Sequence, residues 1–200
     1  MPRYEACDFT IYGVLGDLSR RKLIPSIYQL DKAGLLHPDT KVIGVARHDL
    51  SQEAFVDKIK ESLETFVKKP LDPDVVKRLL DRIVYVLVNL DTPEEYKRLA
   101  ENTDQTKRVL VNYFSVAPSL FDDICKGLDY AGLITDETRV VLEKPFGRDL
   151  ESSREIIVHI KSEEKQKVYE PAISEGPLEE MPIRYILRQE KVPVMVYWAP

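Results

Sequence analysis

The stretch Phe9-Thr10-Ile11-Tyr12-Gly13-Val14-Leu15-Gly16-Asp17-Leu18-Ser19-Arg20-Arg21-Lys22-Leu23 constrains the fold more than any other. Phe9, Ile11 and their neighbours suit a short buried strand, which Gly13 closes. Gly16 and Asp17 then open a long amphipathic segment. A strand, a glycine turn and a helix start in succession present bare backbone N–H groups to a phosphate. Gly13 permits the tight turn, and Gly16 lets the backbone approach a ligand with no Cβ in the way. The spacing is G-x-x-G rather than G-x-G-x-x-G, so taken alone the stretch is equally a plain turn between strand and helix.

The rest of the chain repeats this alternation. Leu23, Ile27 and Leu30 follow helical spacing up to a stop at Gly34, and Pro25 inside that pattern predicts a kink or a late helix start. Val42 to Ala46 is a second strand, and Ser51 caps a helix that carries Phe55, Ile59, Leu63 and Phe66 on one side. Asp72-Pro73 opens a helix through Leu79, and Ile83 to Val88 is the third strand. Thr92-Pro93-Glu94-Glu95 starts the next helix with a capping residue and an acidic first turn. Val109 to Phe114 is the fourth strand, followed by a helix from Pro118 through Phe121, Ile124 and Leu128. Arg139 to Glu143 is the fifth strand, and Leu150 to Ile160 the last clear helix. Strands alternating with helices predict an α/β fold, a doubly wound and mostly parallel sheet of the Rossmann-like dinucleotide-binding kind.

The character changes near Ser162. Residues 1–162 are expected to form the dinucleotide-binding domain, and 163–200 a divergent tail that is not a complete domain. Pro171, Pro177, Pro182, Pro193 and Pro200 argue against a continued helix there. The strand-like pair Ile183–Leu187 and Val192–Trp198 predicts one edge hairpin, or a segment that packs on the sheet.

A net charge of −5 argues against a nucleic-acid or anionic-membrane partner. No apolar run approaches the roughly 20 residues that span a bilayer. Met1-Pro2-Arg3-Tyr4-Glu5 carries no signal-peptide core. Cys7 reads as a strand-edge thiol and Cys125 as a buried helix residue; they are far apart and have no metal-ligand spacing, so neither a disulfide nor a metal site is expected. A reducing cytoplasm is the expected location.

Three stretches together carry a resemblance. They are Gly13-Val14-Leu15-Gly16-Asp17-Leu18-Ser19-Arg20-Arg21-Lys22-Leu23-Ile24-Pro25, Val42-Ile43-Gly44-Val45-Ala46-Arg47 and Val141-Leu142-Glu143-Lys144-Pro145-Phe146-Gly147. In this order and spacing the chain, over about residues 8 to 160, resembles the coenzyme domain of bacterial-type glucose-6-phosphate dehydrogenase. The resemblance implies that Gly13, Val14, Leu15, Gly16, Asp17 and Leu18 hold the pyrophosphate of NADP. Asp17 is open to two readings, a carboxylate that caps the helix or one that lies near phosphate. Arg47 follows the second strand, where an acidic residue suits NAD and an arginine suits the 2′-phosphate of NADP; the plain alternative is a solvated surface arginine. Arg20 and Arg21 read as solvated helix residues. Lys144 is implied to lie between the coenzyme and glucose 6-phosphate, contacting both, while an ion pair with Glu143 is the plain alternative.

The chain also departs from the family. Val14 and Leu15 stand where small or polar residues meet the coenzyme, and Ala117-Pro118 where Pro-Pro is usual. After the lead-in Gln166-Lys167-Val168-Tyr169, the family's R-I-D-H-Y-L-G-K is replaced by Glu170-Pro171-Ala172-Ile173-Ser174-Glu175-Gly176-Pro177. The sugar-phosphate contacts of that motif, the family's catalytic His and its oligomer surface are therefore expected to be missing. His37, His48 and His159 are not placed by the sequence as general bases, so no catalytic residue is expected. The resemblance implies NADP-dependent oxidation of glucose 6-phosphate at C1, with the coenzyme half present and the catalytic half absent. The alternatives are a non-catalytic NADP-binding or regulatory module, or a nonfunctional fragment.

Overall fold

The computed structural model describes residues 5–143, 185–188 and 193–197. The expected helix at Leu150–Ile160, and with it Lys144, Pro145 and His159, lies outside them. Strand β1 is Cys7–Tyr12; beyond the Gly13 turn a helix begins at Asp17, passes through a π-helical turn at Ser19–Leu23 and continues as α1, Ile24–Lys32. Then come β2 (Lys41–Ala46), α2 (Gln52–Phe66), α3 (Pro73–Asp81) and β3 (Ile83–Leu87). A 3₁₀ turn at Pro93–Glu95 leads into the short α4, Tyr96–Ala100, and then β4, Val109–Phe114. A second 3₁₀ turn, Pro118–Leu120, precedes α5 (Phe121–Tyr130) and β5 (Arg139–Glu143). The chain rejoins the sheet as β6 (Tyr185–Arg188) and β7 (Pro193–Tyr197).

The strand order is β3-β2-β1-β4-β5-β7-β6, with every pair parallel except the antiparallel β6–β7. The order reverses at β1, which has β2 on one side and β4 on the other. In such sheets the crevice beyond the carboxyl ends of the two diverging strands is where ligands bind. Adjacent strand residues face opposite sides, so Ile11 and Tyr12 anchor two separate cores. Ile11 packs with Ile24, Tyr28, Phe55, Ile59 and Leu79 on the side of α1, α2 and α3. Tyr12 packs with Leu99, Phe114, Phe121, Ile124 and Leu128 on the side of α4 and α5. Cover on both faces explains why the strands read as unbroken apolar runs rather than alternating ones.

Ser51 caps α2 by accepting from the Ala54 N–H at 3.2 Å, and Asp72 caps α3 through the N–H groups of Asp74 and Val75. Gly34, at φ +68°, ends α1. Regular α-helix starts late, as Pro25 predicted: α1 begins at Ile24 with Pro25 in its first turn, and the widened turn sits just ahead of it, with the Ile24 N–H donating to the Ser19 carbonyl. Pro25 has no N–H for the Arg21 carbonyl and its ring would press on that group, and a π turn accommodates both defects. Thr92 departs from its expected capping role. Its hydroxyl donates to Asp91, and the acidic side chain that closes this turn is Glu95, which accepts from the Asn89 N–H at 2.7 Å.

The tail hairpin is an edge element, as its strand-like pair predicted. β7 lies beside β5 and β6 forms the margin. Pro193 occupies the first position of β7, where a missing donor costs the ladder least.

The opposite margin is β3, and a side chain covers it. Gln52 donates from Nε2 to the Ile83 carbonyl at 2.9 Å, and its Oε1 accepts from the Tyr85 N–H at 2.8 Å. One amide thus takes the place of a residue of an adjoining strand. Gln52→Ala is expected to cost about 0.5–1.5 kcal/mol and to promote association as concentration rises. Sedimentation velocity over a concentration series checks this; a profile indistinguishable from the parent's would remove the edge-covering role.

Candidate functional site

At the carboxyl end of β1, Gly13 adopts φ +76°. Its N–H donates to the Val45 carbonyl at 3.0 Å, and the Val14 N–H reaches the same oxygen at 3.3 Å. The Gly16 N–H donates to the Gly13 carbonyl at 2.8 Å and closes the turn. The buried Ser19 hydroxyl has two acceptors for its single proton, that carbonyl at 3.1 Å and the Ser115 hydroxyl at 3.0 Å. Ser115 donates from its own N–H to the Tyr12 carbonyl at 3.1 Å. The turn is therefore fastened to β2 on one side and to the end of β4 on the other.

Three of the six N–H groups from Gly13 to Leu18 are consumed by these internal bonds. Those of Leu15, Asp17 and Leu18 have no backbone acceptor among the described residues. They are the unsatisfied donors of a helix start, and with the helix dipole they favour an anion. A Cβ on Gly16 would stand 3.0 Å from the Gly13 oxygen, so the absent side chain serves the turn's own geometry as well as access.

Arg47 is the first residue after β2, two positions past the carbonyl that holds the turn. It is exposed and has no hydrogen-bond or ion-pair partner among the described residues. The backbone around it is fixed from β3. The Tyr85 hydroxyl donates to the His48 carbonyl at 2.5 Å and stands 3.3 Å from the Ala46 oxygen. Burial raises the pKa of Tyr85, which keeps it a donor. The other nearby cations are engaged: Arg20 with Ser62 and Glu61, and Arg21 with Asp17 at 3.5 Å and over the Phe66 ring. Asp17 thus pairs along the helix with Arg21; no capping bond from its carboxylate is formed.

An open groove of about 640 Å³ lies at the other end of the sheet, lined by Glu5, His37, Asp39, Lys107, Arg108 and Glu137 among others. It borders the amino ends of β1 and β4, away from the strand-order reversal. His37 is there, with Nδ1 3.9 Å from an Asp39 oxygen.

The chain matches the family model described as glucose-6-phosphate dehydrogenase, NAD binding domain, over residues 10–170. It belongs to this family. A glucose-6-phosphate 1-dehydrogenase of Dickeya dadantii is 47% identical over 152 residues, covering 76% of this chain and 31% of the relative. That of Mycolicibacterium smegmatis is 39% identical over 158 residues, covering 76% and 32%. A solved glucose-6-phosphate 1-dehydrogenase from Mycobacterium avium superposes with a TM-score of 0.70 at 31% identity, over 78% of this chain and 33% of that one. A glucose-6-phosphate dehydrogenase solved in complex with its substrate glucose-6-phosphate gives 0.68 at 35% identity, over 78% and 34%. The chain spans about a third of the length of the curated relatives it matches.

As a glucose-6-phosphate dehydrogenase family member, the chain has a dinucleotide-binding domain, and all the residues singled out from sequence for its site except Lys144 lie among the described residues. Gly13 to Leu18 and Arg47 come together at one crevice. Val14 turns its side chain fully into the core beneath α1 and α2, and Leu15 is half-buried against the same cluster. Lys144 lies outside the described residues, beyond the end of β5. Sequence reasoning missed Ser19, Ser115 and Tyr85 as supports of the site. A small hydroxyl residue three positions after Gly16 was a visible signal for Ser19; nothing local marked Tyr85. Among the described residues no histidine stands at the crevice with a carboxylate, and His48 is exposed in the loop after Arg47. Burial pushes the Cys125 thiol up to about 12, which leaves it protonated and inert. No helix of the described residues is long and apolar enough to cross a membrane.

Proposed function

We propose that this chain binds NADP and is the coenzyme half of an NADP-dependent glucose-6-phosphate dehydrogenase. The observation that carries the reading is the pairing of free helix-start donors with an unpartnered arginine at the reversal of strand order. In this reading the pyrophosphate lies against the N–H groups of Leu15, Asp17 and Leu18. Arg47 meets the ribose 2′-phosphate, where its guanidinium forms charge-assisted bonds. Lys144 would stand between coenzyme and glucose 6-phosphate. NADP supplies the hydride acceptor for C1 of the sugar, and the chain's own residues bind and orient it.

Arg47→Ala is expected to weaken NADP binding about 10- to 100-fold and leave NAD binding unchanged, since one charge-assisted contact is worth roughly 1.5–3 kcal/mol. Parallel calorimetric titrations of both dinucleotides check this, and equal loss for both would refute the 2′-phosphate role. The 200-residue polypeptide by itself is expected to form no NADPH from glucose 6-phosphate, because hydride transfer needs coenzyme, sugar and base in one geometry. The site then acts as a binding module, which is the second reading. Its supporting observation is the lack of a histidine–carboxylate pair at the crevice among the described residues.

A further inference from the structure

We infer that Tyr85 is a positioning residue for coenzyme choice: its hydroxyl fixes the loop that presents Arg47, and so favours a dinucleotide that carries a 2′-phosphate. The inference rests on the dinucleotide reading above.

Beyond Ala46 the chain leaves the sheet. The last ladder tie is the Ala46 carbonyl, which accepts from the Val88 N–H at 3.1 Å. Regular bonding resumes at Ser51, whose carbonyl accepts from the Phe55 N–H and whose hydroxyl accepts from the Ala54 N–H. Between these points, among the described residues, Arg47, His48, Asp49 and Leu50 make a single hydrogen bond, from the Tyr85 hydroxyl to the His48 carbonyl. The Tyr85 proton goes to His48, at 2.5 Å; the Ala46 oxygen, at 3.3 Å and already served by Val88, is a weak second acceptor. Arg47 therefore stands between a carbonyl held by β3 and a carbonyl held by the phenol.

The tyrosine is itself held fast. It pairs with Gly44 in the register of β2 and β3, and its N–H donates to the Gln52 Oε1 at 2.8 Å. Its ring lies 4.9 Å from that of the fully buried Phe55. Phe55 has no room to shift toward β2, since its ring tip already fills the space over Gly44, 2.6 Å from where a Cβ would stand. The phenol thus carries the geometry of the sheet out to the loop.

Arg47 is exposed and has no partner among the described residues, so its placement depends on its backbone alone. A guanidinium that grips a phosphate gives up the rotational freedom of a long side chain. A loose loop would add backbone freedom to that loss, and a loop fixed beforehand spares it. NAD offers no 2′-phosphate and gains nothing from where Arg47 is held. A tyrosine that only supported the fold would serve both coenzymes alike.

The test measures NADP and NAD affinities of the full 200-residue chain by calorimetry, in a cycle of Tyr85→Phe and Arg47→Ala. Tyr85→Phe keeps the ring against Phe55 and removes only the hydroxyl. It is expected to weaken NADP about three- to tenfold, the effect of one net hydrogen bond, and to leave NAD unchanged. In the Arg47→Ala background the same substitution should cost NADP nothing further, because the loop then has no guanidinium to place. Unchanged NADP affinity in Tyr85→Phe, equal weakening of both coenzymes, or a loss that persists without Arg47 would overturn the inference. If the unaltered chain prefers neither coenzyme, or Arg47→Ala alone weakens neither, the 2′-phosphate reading itself fails and the inference falls with it.

Discussion

Denaturant unfolding of a Gly13→Ala variant is expected to show a loss of about 2–4 kcal/mol, far more than alanine costs at an ordinary turn glycine. Two separable effects add up. The first is conformational: φ of +76° places a Cβ close to the following carbonyl, worth roughly 1–2 kcal/mol. The second is steric. The new Cβ would lie 2.5 Å from the Ser115 oxygen and 2.8 Å from a Val116 methyl, distances that force either the turn or the end of β4 to move. Gly34 provides the control, because it has almost the same φ, +68°, and open space where its Cβ would be. Gly34→Ala should therefore cost roughly 1 kcal/mol, the conformational part alone. Equal losses for the two variants would show that β4 does not confine the turn. Dinucleotide affinity should follow stability for Gly13→Ala and stay unchanged for Gly34→Ala.

The second large effect lies at the opposite end of β1. Asp8 is fully buried; one oxygen takes the Arg108 Nε at 2.6 Å and the other accepts from the Asp104 N–H at 2.8 Å. Asp8→Ala leaves the largely buried Arg108 cation and a backbone donor without their partner, and is expected to cost about 3–5 kcal/mol. Removing the cation as well, in Asp8→Ala with Arg108→Met, should recover a substantial part of that loss, since the penalty comes from an uncompensated charge rather than from a missing attraction. A thermal or denaturant double-mutant cycle reads the coupling. Additive losses would mean that the pair contributes nothing beyond its separate contacts. Because the pair sits far from the crevice, NADP affinity of the folded fraction should not change in either variant.

Asp8 also shows where reading the sequence runs out. Ile11, Val45, Phe55 and Ile124 were legible because strand and helix repeat apolar residues at fixed intervals, and Ser51 and Asp72 because a cap needs only residues three or four positions away. Gly13, Gly16 and Arg47 were legible as a group because strand, turn and helix fix their relation locally. The partner of Asp8 is 100 positions distant, and the contact of Ser19 with Ser115 spans 96. Such pairs exist only through the parallel register of β1 against β4, which no local pattern encodes. Tyr85 reaches the Arg47 loop in the same way, through the register of β2 and β3. At Pro25 the sequence marked the defect and the late start of regular helix, but not that a π turn absorbs it.

The amide of Gln52 has a further meaning for how copies of this chain can meet. A neighbouring molecule that tried to pair with β3 at Ile83 and Tyr85 would have to evict a glutamine already making the two hydrogen bonds there, and would gain at that step only what it displaced. Pairing that starts at this end of the margin is thus close to isoenergetic, with ordering entropy against it. Assemblies of this domain are accordingly steered toward contacts between side chains and away from backbone templating at β3.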